Sequence, residues 1–452
     1  LFIPPGFDKN GFLRTTTGQP LDYLPATATP SPVFGDRLLA RVAWRLIPFL
    51  FLLYVVNYLD RANISFTKKP MQADLKLSET AYGFAAGIFF LGYAALEVPS
   101  NLALRRVGAR RWIARIVFTW GLVAAGMALV RGKTSFSLLR ALLGAAEAGF
   151  MPGIILYLSN WFPARQRGKA FGLFLTSTAL SGVIGSPLSA HLLKLDGVAG
   201  LHGWQWIFLI EGIACMPLAL LTLRCLPDHP SDASWLSADE AAWLEGQLAA
   251  EGPAHSAHDR RDFLAALRDR RVWLLSALYF LLISGLFGFI FWAPSAITDH
   301  TGGWLTAIPY CVGAVTMVLI GRHSDQAAER RWHVAGCALL GAAGMAATAL
   351  CPNTPLALVT LSLAAVGIWG CLGPFWAIPT SFLRGDAAAA GIAIINSIGC
   401  TAGFFIPYLI GRIKDRTGGY QGLYLVAATL LAAAFVVQAV GREAVREKAN
   451  SE

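Results

Sequence analysis

The sequence predicts an all-α membrane protein of twelve transmembrane helices arranged as two six-helix bundles. Three observations carry that reading. Only 14% of the 452 residues are charged and 55% are hydrophobic, where a soluble chain has about 25% charged residues. Twelve apolar runs follow one another, each close to the roughly 20 residues that a helix needs to cross a bilayer. A polar, charged stretch divides the runs six and six, the layout of a chain built from two parallel halves.

The elements follow in order. Residues 1–36, rich in Pro and Thr, read as a flexible tail. They contain no apolar h-region, so no cleavable signal peptide is expected and the first helix serves as the insertion signal. Apolar runs near 44–67, 80–104, 112–130, 134–158, 168–193 and 204–226 make an N-terminal bundle over 37–226. A middle loop covers 227–271. Within it, Ser237–Glu251 reads as a short amphipathic helix with a Ser cap and early acids. Runs near 272–298, 303–321, 333–350, 355–380, 387–411 and 419–440 make a C-terminal bundle over 272–441, followed by a tail over 442–452.

The net charge of +10 is spread over short basic runs between the apolar spans, which is an orientation signal and not a nucleic-acid patch. Arg37, Arg41 and Arg45 precede span 1, Arg105, Arg106, Arg110 and Arg111 follow span 2, and Arg165, Arg167 and Lys169 follow span 4. With the arginines of the middle loop they fall on one side of an even-numbered topology, so both termini and the middle loop are expected in the cytoplasm. Arg412, Lys414 and Arg416 after span 11 run against this rule. The seven cysteines lie in or beside spans without a C-x-x-C pair, which points to packing. The eight histidines are scattered, so neither a metal, a cofactor nor an enzyme's cluster of catalytic groups is expected.

An internal repeat supports duplicated halves. Asn101–Arg105 followed by Arg110-Arg111-Trp112 aligns without gaps on Gly321–Asp325 followed by Arg330-Arg331-Trp332, each after the second span of its half.

The informative residues are the ionisable ones inside spans, which are costly in lipid and by default mark an ion or substrate path. Span 1 carries Asp60 and Arg61 with apolar residues continuing to Phe66, and span 4 carries Arg140 and Glu147. Seven residues are nearly two helical turns, so Arg140 and Glu147 share a face about 10 Å apart along the axis. Counted from the outer surface, Asp60 and Arg140 fall at similar depths and form the natural pair. Glu147 is then a deeper, surplus acid without an obvious partner. Such a buried carboxylate can exchange a proton near neutral pH, as proton coupling requires; a structural salt bridge between the two helices is the alternative. Arg61 and Arg140 are cations whose forked donors suit a carboxylate. Tyr93 on span 2 can reach a ligand or pack, and Asn396 on span 11 can bind a ligand or bridge helices.

Several stretches resemble the major facilitator superfamily, and more narrowly its anion:cation symporter family with the bacterial tartrate-type and sugar-acid transporters. They include NYLDRANISF, GIFFLGYAALEVPSNLALRRVGARRWIARI, RALLGAAEAGFMPG, WFPARQRGKAFG and AAAAGIAIINSIG, within a resemblance running from Arg37 to Arg442. It implies uptake of a small organic anion with protons through alternating access, in a bacterial inner membrane, by a monomer. By the resemblance, Asp60 and Glu147 take protons, Arg61, Tyr93, Trp376 and Asn396 contact substrate, and Arg140 pairs with the span-1 acid and completes the binding site. The sequence departs from the family at Arg105, where Asp is usual, at Gln326, where Arg is usual, and at Ile297–Thr306, where the link between spans 7 and 8 is short by roughly ten residues and leaves span 8 barely long enough to cross. An uncoupled facilitator or exporter of the same fold, or a copy impaired by that short link, is the alternative reading.

Overall fold

A computed structural model describes residues 32–250, 266–301, 304–327, 329–351, 354–382 and 386–451. The flexible tail expected over 1–36 lies largely outside these residues. The chain divides into two compact units, Leu1–Arg45 and Leu46–Glu452. The described residues of the first are the opening turns of helix α1.

The first half contains α1 (Pro32–Phe66), α2 (Lys68–Leu75), α3 (Glu79–Val107), α4 (Ala109–Gly126), α5 (Lys133–Glu147), α6 (Phe150–Ser159), α7 (Ala164–Leu192) and α8 (Gly203–Cys225). In the middle loop, α9 spans Ala238–Ala250. The second half contains α10 (Arg270–Thr301), α11 (Ala307–Ala327), α12 (Arg331–Leu350), α13 (Thr354–Gly370), α14 (Leu372–Phe382), α15 (Asp386–Cys400), α16 (Ala402–Thr417) and α17 (Gly422–Ser451). Among the described residues, nine stretches are long and apolar enough to cross a membrane, three of them pairs of consecutive helices: α5–α6, α13–α14 and α15–α16. Helices α3, α7 and α11, of 29, 29 and 21 residues, complete the twelve. The 21 residues of α11 rise about 31 Å at roughly 1.5 Å per residue, but its last turns, Arg322–Gln326, are polar, so the apolar part of span 8 stays short, as expected from the sequence. The helix ends at Ala327, six residues beyond the apolar run.

Local chemistry sets the ends. Ser78 caps α3 by accepting the Ala81 N–H (3.1 Å). In α9, Ser237 accepts the Glu240 N–H (3.2 Å) and Glu240 accepts the Ser237 N–H (3.0 Å), a reciprocal capping box at the expected start. Span 4, expected as one helix, is broken directly after Glu147. Ala148 leaves the helical region (ψ 132°) and Gly149 is left-handed (φ +83°), a conformation that glycine adopts without steric cost. The Ala148 carbonyl freed by the break accepts the Ser100 hydroxyl (2.5 Å). Spans 10 and 11 are interrupted too, at Cys371 and at Thr401.

Within the first half α4 packs on α8 and α3 on α5; within the second α12 packs on α13 and α17. Glycines allow the backbones to touch: a Cβ on Gly144 would lie 1.9 Å from the Phe89 carbonyl oxygen, and one on Gly92 2.1 Å from that of Ala141. The halves meet along α3 with α16 and α7 with α11. At the start of α3 this seam holds a cluster of charged groups. Glu79 lies 2.8 Å from the Lys68 ammonium and 2.9 Å from that of Lys414. The Lys68 contact is an ion pair outside hydrogen-bond alignment. Lys68 also sits 3.2 Å above the Trp292 ring. Asp415 accepts the Glu79 and Thr80 N–H groups at 3.0 and 2.8 Å, capping α3 from the opposite half.

Candidate functional site

A cavity lies between the halves where the interrupted helices meet α1, α3, α7 and α10. Arg61, Tyr54 and Tyr58 line it from α1, and Phe90 and Tyr93 from α3. From the second half come Tyr279 and Phe287 on α10, Trp376 on α14, and Asn396 and Cys400 on α15. Four residues singled out from the sequence, Arg61, Tyr93, Trp376 and Asn396, are thus brought to one cavity from four helices. Asp60, Arg140 and Glu147 lie behind its wall, at 2%, 1% and 0% exposure.

The pairing of these charges differs from the sequence expectation. Asp60 and Arg140 form no ion pair, and Glu147 does not lack a partner. The Nε of Arg61 donates to Glu147 Oε2 at 2.9 Å, and the Asn57 amide donates to the same oxygen at 2.7 Å. Arg140 donates to the Ala86 carbonyl (3.2 Å) and lies 4.7 Å from the Phe89 ring centroid. Asp60 accepts from Asn63 at 3.3 Å, and Asn63 donates also to Glu211 on α8 at 2.9 Å. The physical reason is helix rotation. Consecutive residues point about 100° apart at 3.6 residues per turn, so Arg61 and its neighbour Asp60 cannot both face α5 in the same way.

Arg61 is held in an aromatic cage, its guanidinium carbon 5.3, 5.2 and 5.2 Å from the Tyr58, Phe89 and Tyr93 ring centroids. Only its Nε is engaged by a protein acceptor, and the side chain keeps 15% exposure at the cavity wall. Behind the wall three carboxylates, Asp60, Glu147 and Glu211, meet two guanidiniums. Asp60 Oδ2, Glu147 Oε1, Glu211 Oε1 and two Arg140 nitrogens have no hydrogen-bond partner among the described residues. A fourth buried carboxylate, Glu97 on α3, accepts the hydroxyl of Ser397 on α15 across the two halves (3.1 Å).

Sequence reasoning passed over Asn57, Asn63 and Glu211, although a signal existed. Asn57 and Asn63 continue the polar stripe of Asp60 and Arg61 on span 1, and Glu211 is a lone acid inside span 6. It also passed over Tyr54, Tyr58 and Tyr279, because an aromatic in an apolar span has no local mark of facing a cavity. Among the described residues there is no group of three or more His, Cys, Asp or Glu arranged to hold a metal ion.

Comparison with known proteins agrees with this architecture. The sequence profile of the Major Facilitator Superfamily matches residues 50–407. A protein of Agrobacterium vitis named "Putative tartrate transporter" is 47% identical over 414 residues, 90% of this chain and 92% of the relative. The inner membrane transport protein RhmT of Escherichia coli (strain K12) is 39% identical over 413 residues, covering 89% and 95% of the two chains. Among solved structures, a bacterial homologue of the human lysosomal transporter Spinster, inward-facing and unoccupied, superposes with a TM-score of 0.69 at 17% identity, covering 89% of this chain and 95% of that one.

Proposed function

The chain belongs to the major facilitator superfamily, and we propose that this multi-pass secondary transporter takes up a small organic anion by proton symport. The anion classes in view are tartrate-like dicarboxylates, sugar acids and aromatic acids. The proposal places an N-terminal half over 37–226 and a C-terminal half over 272–441 around the cavity, with both termini in the cytoplasm. The Lys68–Glu79–Lys414 cluster then closes the outer side.

The observation that carries the proposal is the Arg61–Glu147 pair. The cation lines the cavity and its carboxylate partner is buried behind it. An incoming carboxylate competes with Glu147 for the guanidinium, whose planar fork suits it. Glu147 then loses its cation in a low-dielectric setting, where an unpaired charge is costly, and takes a proton. One anion and one proton enter together, so the charge of the site is unchanged. Asp60, one of three carboxylates facing two guanidiniums, is the second acid of this proposal. Tyr93, Trp376 and Asn396 contact the anion from the cavity wall. Arg140 does not line the cavity and acts on the anion and on Asp60 through its field.

Uptake of carboxylates into proteoliposomes, with and without an inward proton gradient, tests this. Accumulation against the anion's gradient is expected only when protons run inward. Equal uptake in both conditions overturns coupling and leaves a facilitator.

A further inference from the structure

We propose that the anion is a planar aromatic monocarboxylate, of the benzoate or pyridine-carboxylate kind; this rests on the anion-symport reading above. The first support is the charge count. Arg61 is the one cation among the described residues lining the cavity, and it already shares its Nε with Glu147. The neighbouring cation, Arg140, is turned away onto Phe89 and the Ala86 carbonyl. A dicarboxylate would carry a second charge into this site with no cation to meet it, and a desolvated unpaired charge is strongly disfavoured. Beside Asn396, Ser397 donates to the Glu97 carboxyl (3.1 Å), so the ionisable group behind this part of the wall is an acid and not a cation.

The second support is the chemistry of the walls. Phe90 and Phe287 meet across the halves with ring centroids 4.4 Å apart and planes tilted by 60°. Trp376 stands edge-on to Tyr279 at 4.8 Å. Ile283, Leu286 and Leu372 complete the apolar surface. A flat ring would stack or meet these edges favourably, its carboxylate on the free side of the Arg61 fork and a ring substituent within the reach of Asn396. Such a lining, mostly apolar and aromatic with a few placed polar groups, is that of a site for an aromatic ligand.

The test uses the purified full-length chain, with binding read by ligand-induced thermal stabilisation and transport read in proteoliposomes. The probes are benzoate, terephthalate, tartrate, gluconate and the uncharged benzamide. Benzoate is expected to bind at least tenfold more tightly than each of the other four. Trp376→Ala should weaken benzoate at least tenfold while Trp376→Phe, which keeps a ring, restores most of it. Tartrate, gluconate or terephthalate binding as tightly as benzoate overturns the inference, as does equal binding of benzamide. If tartrate or gluconate accumulates under a proton gradient and benzoate does not, the symport reading stands and the aromatic assignment falls. If benzoate is bound and moved without any dependence on the gradient, the aromatic assignment stands and the symport reading falls.

Discussion

Arg61 and Glu147 are joined at 2.9 Å across the wall of the cavity, the guanidinium partly exposed on one side and the carboxylate fully buried on the other. In the proposed mechanism the substrate meets the guanidinium, and its effect on Glu147 passes through this contact.

Removing the cation should therefore abolish binding. In Arg61→Ala the loss of a desolvated charge partner costs about 2–5 kcal/mol, and affinity for the transported anion should fall at least thirtyfold while the protein still folds. Arg61→Lys keeps the charge but not the fork, and should recover only part of the affinity. Equilibrium binding to the purified variants checks both.

Removing the acid's charge should separate binding from coupling. Glu147→Gln keeps the shape and the Asn57 contact while mimicking the protonated acid. It should bind the anion at least as tightly as the unmutated chain, because nothing competes for Arg61. It should lose accumulation driven by a pH gradient. Full gradient-driven accumulation by this variant would take Glu147 out of the mechanism.

Two glycine seams should respond differently to one added methyl group. Gly144 meets the Phe89 carbonyl inside the first half, so Gly144→Ala should destabilise the fold by about 1–3 kcal/mol through overpacking. Gly83 meets the Pro407 carbonyl across the halves, where a Cβ would lie 2.2 Å from the oxygen. Gly83→Ala should leave the thermal midpoint nearly unchanged and favour the state in which α3 and α16 separate. Thermal unfolding and the alkylation rate of a cysteine placed at Ile283 distinguish the two effects, in a background with the native cysteines replaced by serine.

The closure at Lys68 should depend on pH with a defined sign. Burial, and then the nearby Lys414, push the Lys68 ammonium down from its ordinary 10.5 to about 7, against the opposing pull of Glu79. With the seam open Lys68 keeps its ordinary value, so the closed form binds fewer protons between those limits. Closure is then favoured most above about pH 10.5, weakens as pH falls through the window, and is flat below about pH 7. The same alkylation assay, run from the side of Lys68 with each rate divided by that of a solvent-exposed cysteine at the same pH to remove thiolate titration, should show relatively faster labelling at pH 7 than at pH 9. Lys68→Met should abolish the difference.

The sequence by itself determined the membrane class, the twelve spans and their grouping, because bilayer thickness fixes a length and hydropathy is read residue by residue. It also marked Arg61, Tyr93, Trp376 and Asn396, which the fold brings to one cavity, and Asp60 and Glu147 as acids inside spans. Tertiary structure decided which charge meets which. Pairing Arg61 with Glu147, and Asp60 with Asn63 near Glu211, depends on how each helix is turned about its axis, and a one-residue step turns a side chain by about 100°. It also decided that the helix of span 4 breaks after Glu147 and resumes at Phe150. The Ser100 hydroxyl satisfies the freed Ala148 carbonyl at that break, and Ser100 lies 48 positions away along the chain, beyond the reach of any local pattern.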